Sequence, residues 1–88
     1  MGIDAACRGV LDPLREAGRV PTLSSLVDGG TVAPLTSSIP PWTPSAWPSL
    51  YTGTNPGKHG VYGFLAFEGY GWSVVDGTHV RGRPLWEL

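Results

Sequence analysis

The stretch "IPPWTPSAWPSLYTG", Ile39 to Gly53, decides the reading of this chain. Pro40 and Pro41 fix their own φ, and each turns the residue before it away from helix. From Thr43 the pattern becomes helical, with Ala46, Trp47 and Leu50 on one side. Gly53 closes the segment, as glycine does beyond a helix end. Pro48 falls inside this helix, removes one backbone hydrogen bond and predicts a kink. Thr43 thus stands where a stiff, extended approach turns into a helix.

Two roles are open to Thr43. As a cap, its hydroxyl accepts from a backbone N–H, and Pro44 sits where no N–H is needed. Taken alone, the residues favour this role. The same place suits chemistry, because a helix N-terminus carries partial positive charge and attracts phosphate. A free alcohol is a poor nucleophile at neutral pH. A bound metal ion would lower its pKa and make an alkoxide. Anionic ligands would then be needed nearby, and Asp4 is the best candidate. Residues Gly2 to Asp4 read as the last step of a strand, and ligands of α/β sheets gather at that edge.

Outward toward the N-terminus, "RGVLDPLREA" (Arg8 to Ala17) spaces Val10, Leu11, Leu14 and Ala17 helically, with Gly18 as the stop. Pro13 suggests that this helix effectively begins near Asp12. "PTLSSLVDGG" places Leu23, Leu26 and Val27 on one face, with Thr22 as a plausible cap. Thr31 to Ser37 reads as a short strand or extended edge, and Pro34 argues for an edge position. Outward toward the C-terminus, "TNPGKHG" reads as a loop. Phe64 to Phe67 and Trp72 to Val75 read as a hairpin around "EGYG". "DGTHVRGRP" is loop, and "PLWEL" opens another helix. The alternation of strands and helices gives an α/β class.

The 88 residues allow one domain, read as a single partial domain over 1–88. Thirteen Gly and nine Pro make a quarter of the chain, but 41% hydrophobic residues and four Trp argue against disorder. A formal net charge of -1 without a basic stripe gives no sign of nucleic acid. No apolar run reaches the roughly 20 residues of a membrane-spanning helix. No secretion signal is visible, and the single Cys7 makes no internal disulfide, so a reducing, cytoplasmic setting is expected. The abrupt ends, a strand's last residues and a helix's first turn, suggest a fragment.

The wording of the chain resembles one family over nearly its whole length. "GID" near the start is followed in order by "EAGRVPTLSSLVDGG", "SSIPPWTPSAWPSLYTGTNPGKHGVYGF" and "RGRPLWEL". The specific part is "TPSAW", "SLYTG" and "PGKHGVY". The resemblance is to the type I phosphodiesterase/nucleotide pyrophosphatase group of the alkaline phosphatase superfamily, its microbial branch. It implies the N-terminal part of an alkaline-phosphatase-like α/β sandwich with a mostly parallel sheet. It implies a small phosphoester substrate and two divalent metal ions, usually zinc. It also implies that Thr43 attacks phosphorus, forms a covalent intermediate and touches a metal, and that Asp4 binds a metal. The resemblance outweighs the cap reading of Thr43.

Three positions depart from the family pattern. Ala5 replaces the customary Gly of "G-x-D-G", with little strand before it. Ala46 stands where animal members carry an Asn that helps hold phosphate. Pro48 interrupts the nucleophile's helix. A catalytic zinc takes about three protein ligands, so two need about six contacts. Only Asp4 and Thr43 are on offer here, and the other ligands are expected beyond Leu88. The 88 residues alone are therefore expected to bind metal weakly and catalyse poorly.

Other residues read more plainly. His59 is expected to order its loop, and His79 to be solvated. Asp12, Asp28 and Asp76 read as surface or turn acids, and Cys7 as a small buried residue. Trp42 and Trp47 flank Thr43 and could wall a pocket, but packing is the commoner use of an aromatic. Lys58 and Arg81 could contact phosphate, but read rather as solvated surface. Within the superfamily a sulfatase, phosphonate hydrolase or phosphotransferase is the alternative. A non-catalytic module using "IPPWTP" and the hairpin aromatics to bind a peptide is the alternative from another class.

Overall fold

Helix starts and glycine stops organise most of the chain. The computed structural model describes residues 1–88, which divide into two compact units, Met1–Leu35 and Thr36–Leu88.

The first unit holds two helices, α1 (Arg8–Glu16) and α2 (Pro21–Gly29). The extended Cys7 starts α1, and its carbonyl accepts the N–H groups of Val10 and Leu11, each at 3.0 Å. The helix therefore begins at Arg8 and runs through Pro13, rather than starting near Asp12. At its end Gly18 takes φ 67°, and the N–H groups of Gly18 and Arg19 return to Arg15 and Leu14, each at 2.9 Å. That pairing needs a left-handed residue, which glycine adopts without strain. α2 begins one residue before the expected cap. Pro21 takes the first position after Val20, because it has no N–H to satisfy, so Thr22 lies inside the helix. Asp28 on α2 meets the Arg15 guanidinium of α1 at 2.9 Å.

Two expected strands do not form. Gly2–Asp4 is irregular and turns at once: the Ala5 N–H donates to the Asp4 carboxylate at 3.0 Å, and Ala5 takes φ 57°. Residues 31–37 make no ladder, since Pro34 lacks a donor and no other strand pairs with them.

The second unit contains α3 (Thr43–Thr52), α4 (Pro56–His59) and an antiparallel pair, β1 (Leu65–Glu68) and β2 (Gly71–Val74). α3 runs through Pro48 as one element and ends at Gly53, in the left-handed region at φ 65°. The "TNPGKHG" segment is not all loop. The Asn55 side chain accepts from the Lys58 N–H at 3.1 Å, Pro56 opens α4 and Gly60 closes it. The hairpin pairs Phe67 with Trp72 and Glu68 with Gly71 across a two-residue turn, with Gly69 at φ 60°. Short 3-10 turns follow at Gly77–His79 and Leu85–Glu87. The second puts Trp86 against Tyr51 of α3, ring centroids 5.0 Å apart.

The buried face of α3 differs from the expected one. Leu50 is 61% exposed, whereas Ser45 and Pro48 are buried and Ser49 and Thr52 half-buried. These four positions recur at helical spacing, so they form one face. The partner brought by α4 is His59, wholly buried, and an imidazole calls for hydroxyls rather than methyls. Val61 is the one fully buried hydrophobic residue. The molecule is thus a mix of helices and a small antiparallel sheet, in keeping with a piece of an α/β protein. No helix is long and apolar enough to cross a membrane.

Candidate active site

The proline-stiffened approach leads to Trp42, which is extended at φ −106° and ψ 149° and is the residue that caps α3. Its carbonyl accepts the N–H groups of Ser45 at 3.0 Å and Ala46 at 2.8 Å. Thr43 is the first helical residue rather than the cap, and it is exposed. Pro44 has no N–H, and the Ser45 N–H already serves Trp42. The anion cradle that the sequence predicts at this tip is therefore narrower than a helix start with open amides.

Thr43 opens on a concavity of about 290 Å³. Its walls include Trp47, Tyr51, Phe64, Val80 and Asp76. The walls are largely apolar, while Asp76 supplies a single charge. Trp47 is half-buried in this wall, so it both packs and lines the site.

Asp76 is more than a turn acid. Its carboxylate accepts the Thr78 hydroxyl at 2.6 Å and the Thr78 N–H at 2.8 Å. Those bonds, the hydroxyl first, with His79 adding to them, hold the carboxyl below its ordinary range. His79 is not solvated as expected. It is partly buried and closes a capping box, its Nδ1 lying 3.2 Å from the Asp76 N–H and 3.0 Å from the Asp76 carboxylate. In the neutral ring Nδ1 accepts from the amide; in the charged ring it donates to the carboxylate. The spacing of Asp76 and His79 is a capping signal legible in the sequence.

His59 orders its surroundings, from the end of a helix and not from a loop. Its Nδ1 accepts the Val61 N–H at 3.2 Å, which leaves the proton on Nε2, 2.9 Å from the Ser49 hydroxyl. Ser49 in turn donates to the Ser45 carbonyl at 2.8 Å. Burial pushes the His59 pKa down, and the Ser45 backbone only partly opposes it.

Asp4 belongs to the first unit, in the turn before α1. Asp12 and Asp28 sit at the surface but are paired, Asp12 with Arg8 at 3.3 Å and Asp28 with Arg15. Cys7 is exposed, not buried, because it serves α1 through its backbone carbonyl alone. Lys58 and Arg81 are exposed, and the Arg81 N–H donates to the His59 carbonyl at 2.9 Å.

No three side chains among His, Cys, Asp and Glu converge anywhere in the chain. The one acid beside Thr43 in the concavity, Asp76, is already engaged by Thr78 and His79. The residues present do not by themselves fit a two-metal centre.

A hydroxyl at a helix tip, opening on a walled hollow, is an arrangement suited to group-transfer hydrolysis. The chain matches the type I phosphodiesterase / nucleotide pyrophosphatase family over residues 1–88, and it belongs to that family. Its relatives are accordingly hydrolases of the phosphodiesterase and pyrophosphatase type, in the alkaline phosphatase superfamily. No curated protein and no solved structure matches it.

Proposed function

We propose that this chain carries the nucleophile for hydrolysis of phosphodiester or phosphoanhydride bonds, and that the nucleophile is Thr43. The observation behind this reading is the exposed place of Thr43 at the first turn of α3, facing a walled concavity, in a member of this family. The Thr43 hydroxyl gives its proton to solvent and its oxygen bonds to phosphorus, while the bond from phosphorus to the leaving oxygen breaks and that oxygen takes a proton from solvent. Water then attacks the phosphothreonine, releasing phosphate or a monoester and restoring the alcohol. The aromatic walls receive the organic part of a small phosphoester.

The same proposal gives the whole enzyme an alkaline-phosphatase-like sandwich and two divalent cations, zinc by preference. Asp4 and Thr43 are its ligands from this segment. These two fall short of the contacts that two metals need, and no step above is routed through a metal. A cytoplasmic location belongs to the proposal as well.

The test is turnover of bis-p-nitrophenyl phosphate by the intact protein and by its Thr43→Ala variant. Loss of turnover with an unchanged far-ultraviolet circular dichroism spectrum is expected. Wild-type turnover in the variant would reject the assignment.

A further inference from the structure

We infer that Ser45, Ser49 and His59 are positioning residues, a buried hydrogen-bonded line that holds the Thr43 hydroxyl in its attacking place. The inference rests on Thr43 being the nucleophile. Its basis is geometric. The Ser45 hydroxyl donates to the Pro40 carbonyl at 2.8 Å, closing a bracket around Pro41, Trp42, Thr43 and Pro44. The Ser38 hydroxyl donates to that same carbonyl at 3.0 Å. Pro41 and Pro44 stiffen the two ends of the bracketed segment by their fixed φ. Few torsions are then left to move Thr43.

Behind the bracket the line continues without a gap. The Ser45 carbonyl accepts from the Ser49 hydroxyl, the Ser49 oxygen accepts from His59 Nε2–H, and His59 Nδ1 accepts from the Val61 N–H. The His59 carbonyl accepts from Arg81, which ties the line to the segment after the hairpin. Ser45 and His59 are 0% exposed, so neither can trade these partners for water. The Val61 N–H sets the imidazole tautomer, the imidazole and the Ser45 carbonyl set the Ser49 rotor, and the Ser45 hydroxyl is held by the Pro40 carbonyl, with the Trp42 carbonyl 3.4 Å away. An apolar core would fill this volume as well. It would not specify where the Pro40 carbonyl sits.

The substitutions that test this are Ser45→Ala, Ser49→Ala and Ser49→Thr in the intact protein, assayed with bis-p-nitrophenyl phosphate. Ser45→Ala leaves the Pro40 carbonyl bonded to Ser38, so the fold should survive. A misplaced nucleophile loses about ten- to a hundredfold in rate. That loss is expected in kcat, with KM within about twofold, for Ser45→Ala, and less severely for Ser49→Ala. Ser49→Thr keeps the hydroxyl and should restore kcat. Gly53→Ala is the control: it strains the same helix outside the line, and should lower the melting temperature without lowering kcat. If Ser45→Ala keeps wild-type kcat, or if Gly53→Ala slows turnover as much, the positioning role is wrong. If Thr43→Ala itself keeps turnover, the assignment of the nucleophile is what has failed.

Discussion

The two units are held together by different means. In Met1–Leu35 no residue is buried, and α1 meets α2 through Arg15, which stands 2.9 Å from Asp28 and 3.9 Å from Asp12 on its own helix. In Thr36–Leu88 a small polar core is sealed from water, with Ser45, Pro48, Pro56, His59 and Val61 all buried. Surface ion pairs contribute little and are screened by salt. A buried network with every partner supplied gives a unique geometry. Thr43 belongs to the second kind of unit and Asp4 to the first. The proposed nucleophile therefore sits in the unit with the buried network, and the proposed metal ligand sits in a local turn.

Substitutions can break this contrast in order of size. Thr43→Ala should lower kcat at least about a thousandfold, since a covalent route closes when its nucleophile is removed. Its melting temperature should stay near wild type, because the Thr43 side chain is exposed. His59→Ala should instead strike stability, by about 2–3 kcal/mol, as the buried Val61 N–H loses its acceptor. Urea denaturation would show this as a lower midpoint, and for a chain this small the change is a large share of the total. Gly53→Ala should cost about 1 kcal/mol from its left-handed φ alone, since an added Cβ meets nothing within 4 Å. Arg15→Ala in the first unit should cost less than about 1 kcal/mol. That difference should shrink further in high salt. An Arg15→Ala loss as large as that of His59→Ala would erase the contrast.

Acid should also separate the units. The folded state lowers the His59 pKa below the ordinary value of 6.5, so the unfolded chain binds its proton first as pH falls. Stability from His59 is then complete above about 6.5 and declines as pH drops toward the folded value. Asp76 acts in the same direction at lower pH: its depressed carboxyl favours the fold above the ordinary carboxylate range and less so below it. Thermal melts between neutral pH and about pH 5 should show the decline in the wild type. In His59→Ala, melting should be flatter over that range.

Much of the frame was legible in the residues. Thr43 and Gly53 bound α3 as read, and the hairpin lies around Gly69 and Tyr70. These features are set locally, by proline, glycine and spacing. What escaped was decided at longer range. The inward face of α3 could not be told from Ala46, Trp47 and Leu50, because the choice depends on His59 arriving ten residues after Ser49. The cap fell to Trp42, because the extended residue before Thr43 supplied the carbonyl that the first turn needed. The strand read at Gly2–Asp4 failed for want of a neighbour, since pairing is a property of two segments and three residues carry little preference alone. His79 is held by Asp76 three residues before it, a capping spacing that the sequence displays but that a search for metal ligands passes over.

The proposed chemistry turns on a phosphorus–oxygen bond formed at one alcohol. The direct measurement is to quench the intact protein during turnover of bis-p-nitrophenyl phosphate and map the modified residue by peptide mass spectrometry. A phosphoryl adduct on Thr43, absent from Thr43→Ala, is the predicted result. An adduct on another residue, or steady turnover with Thr43 unmodified at every quench time, would contradict it.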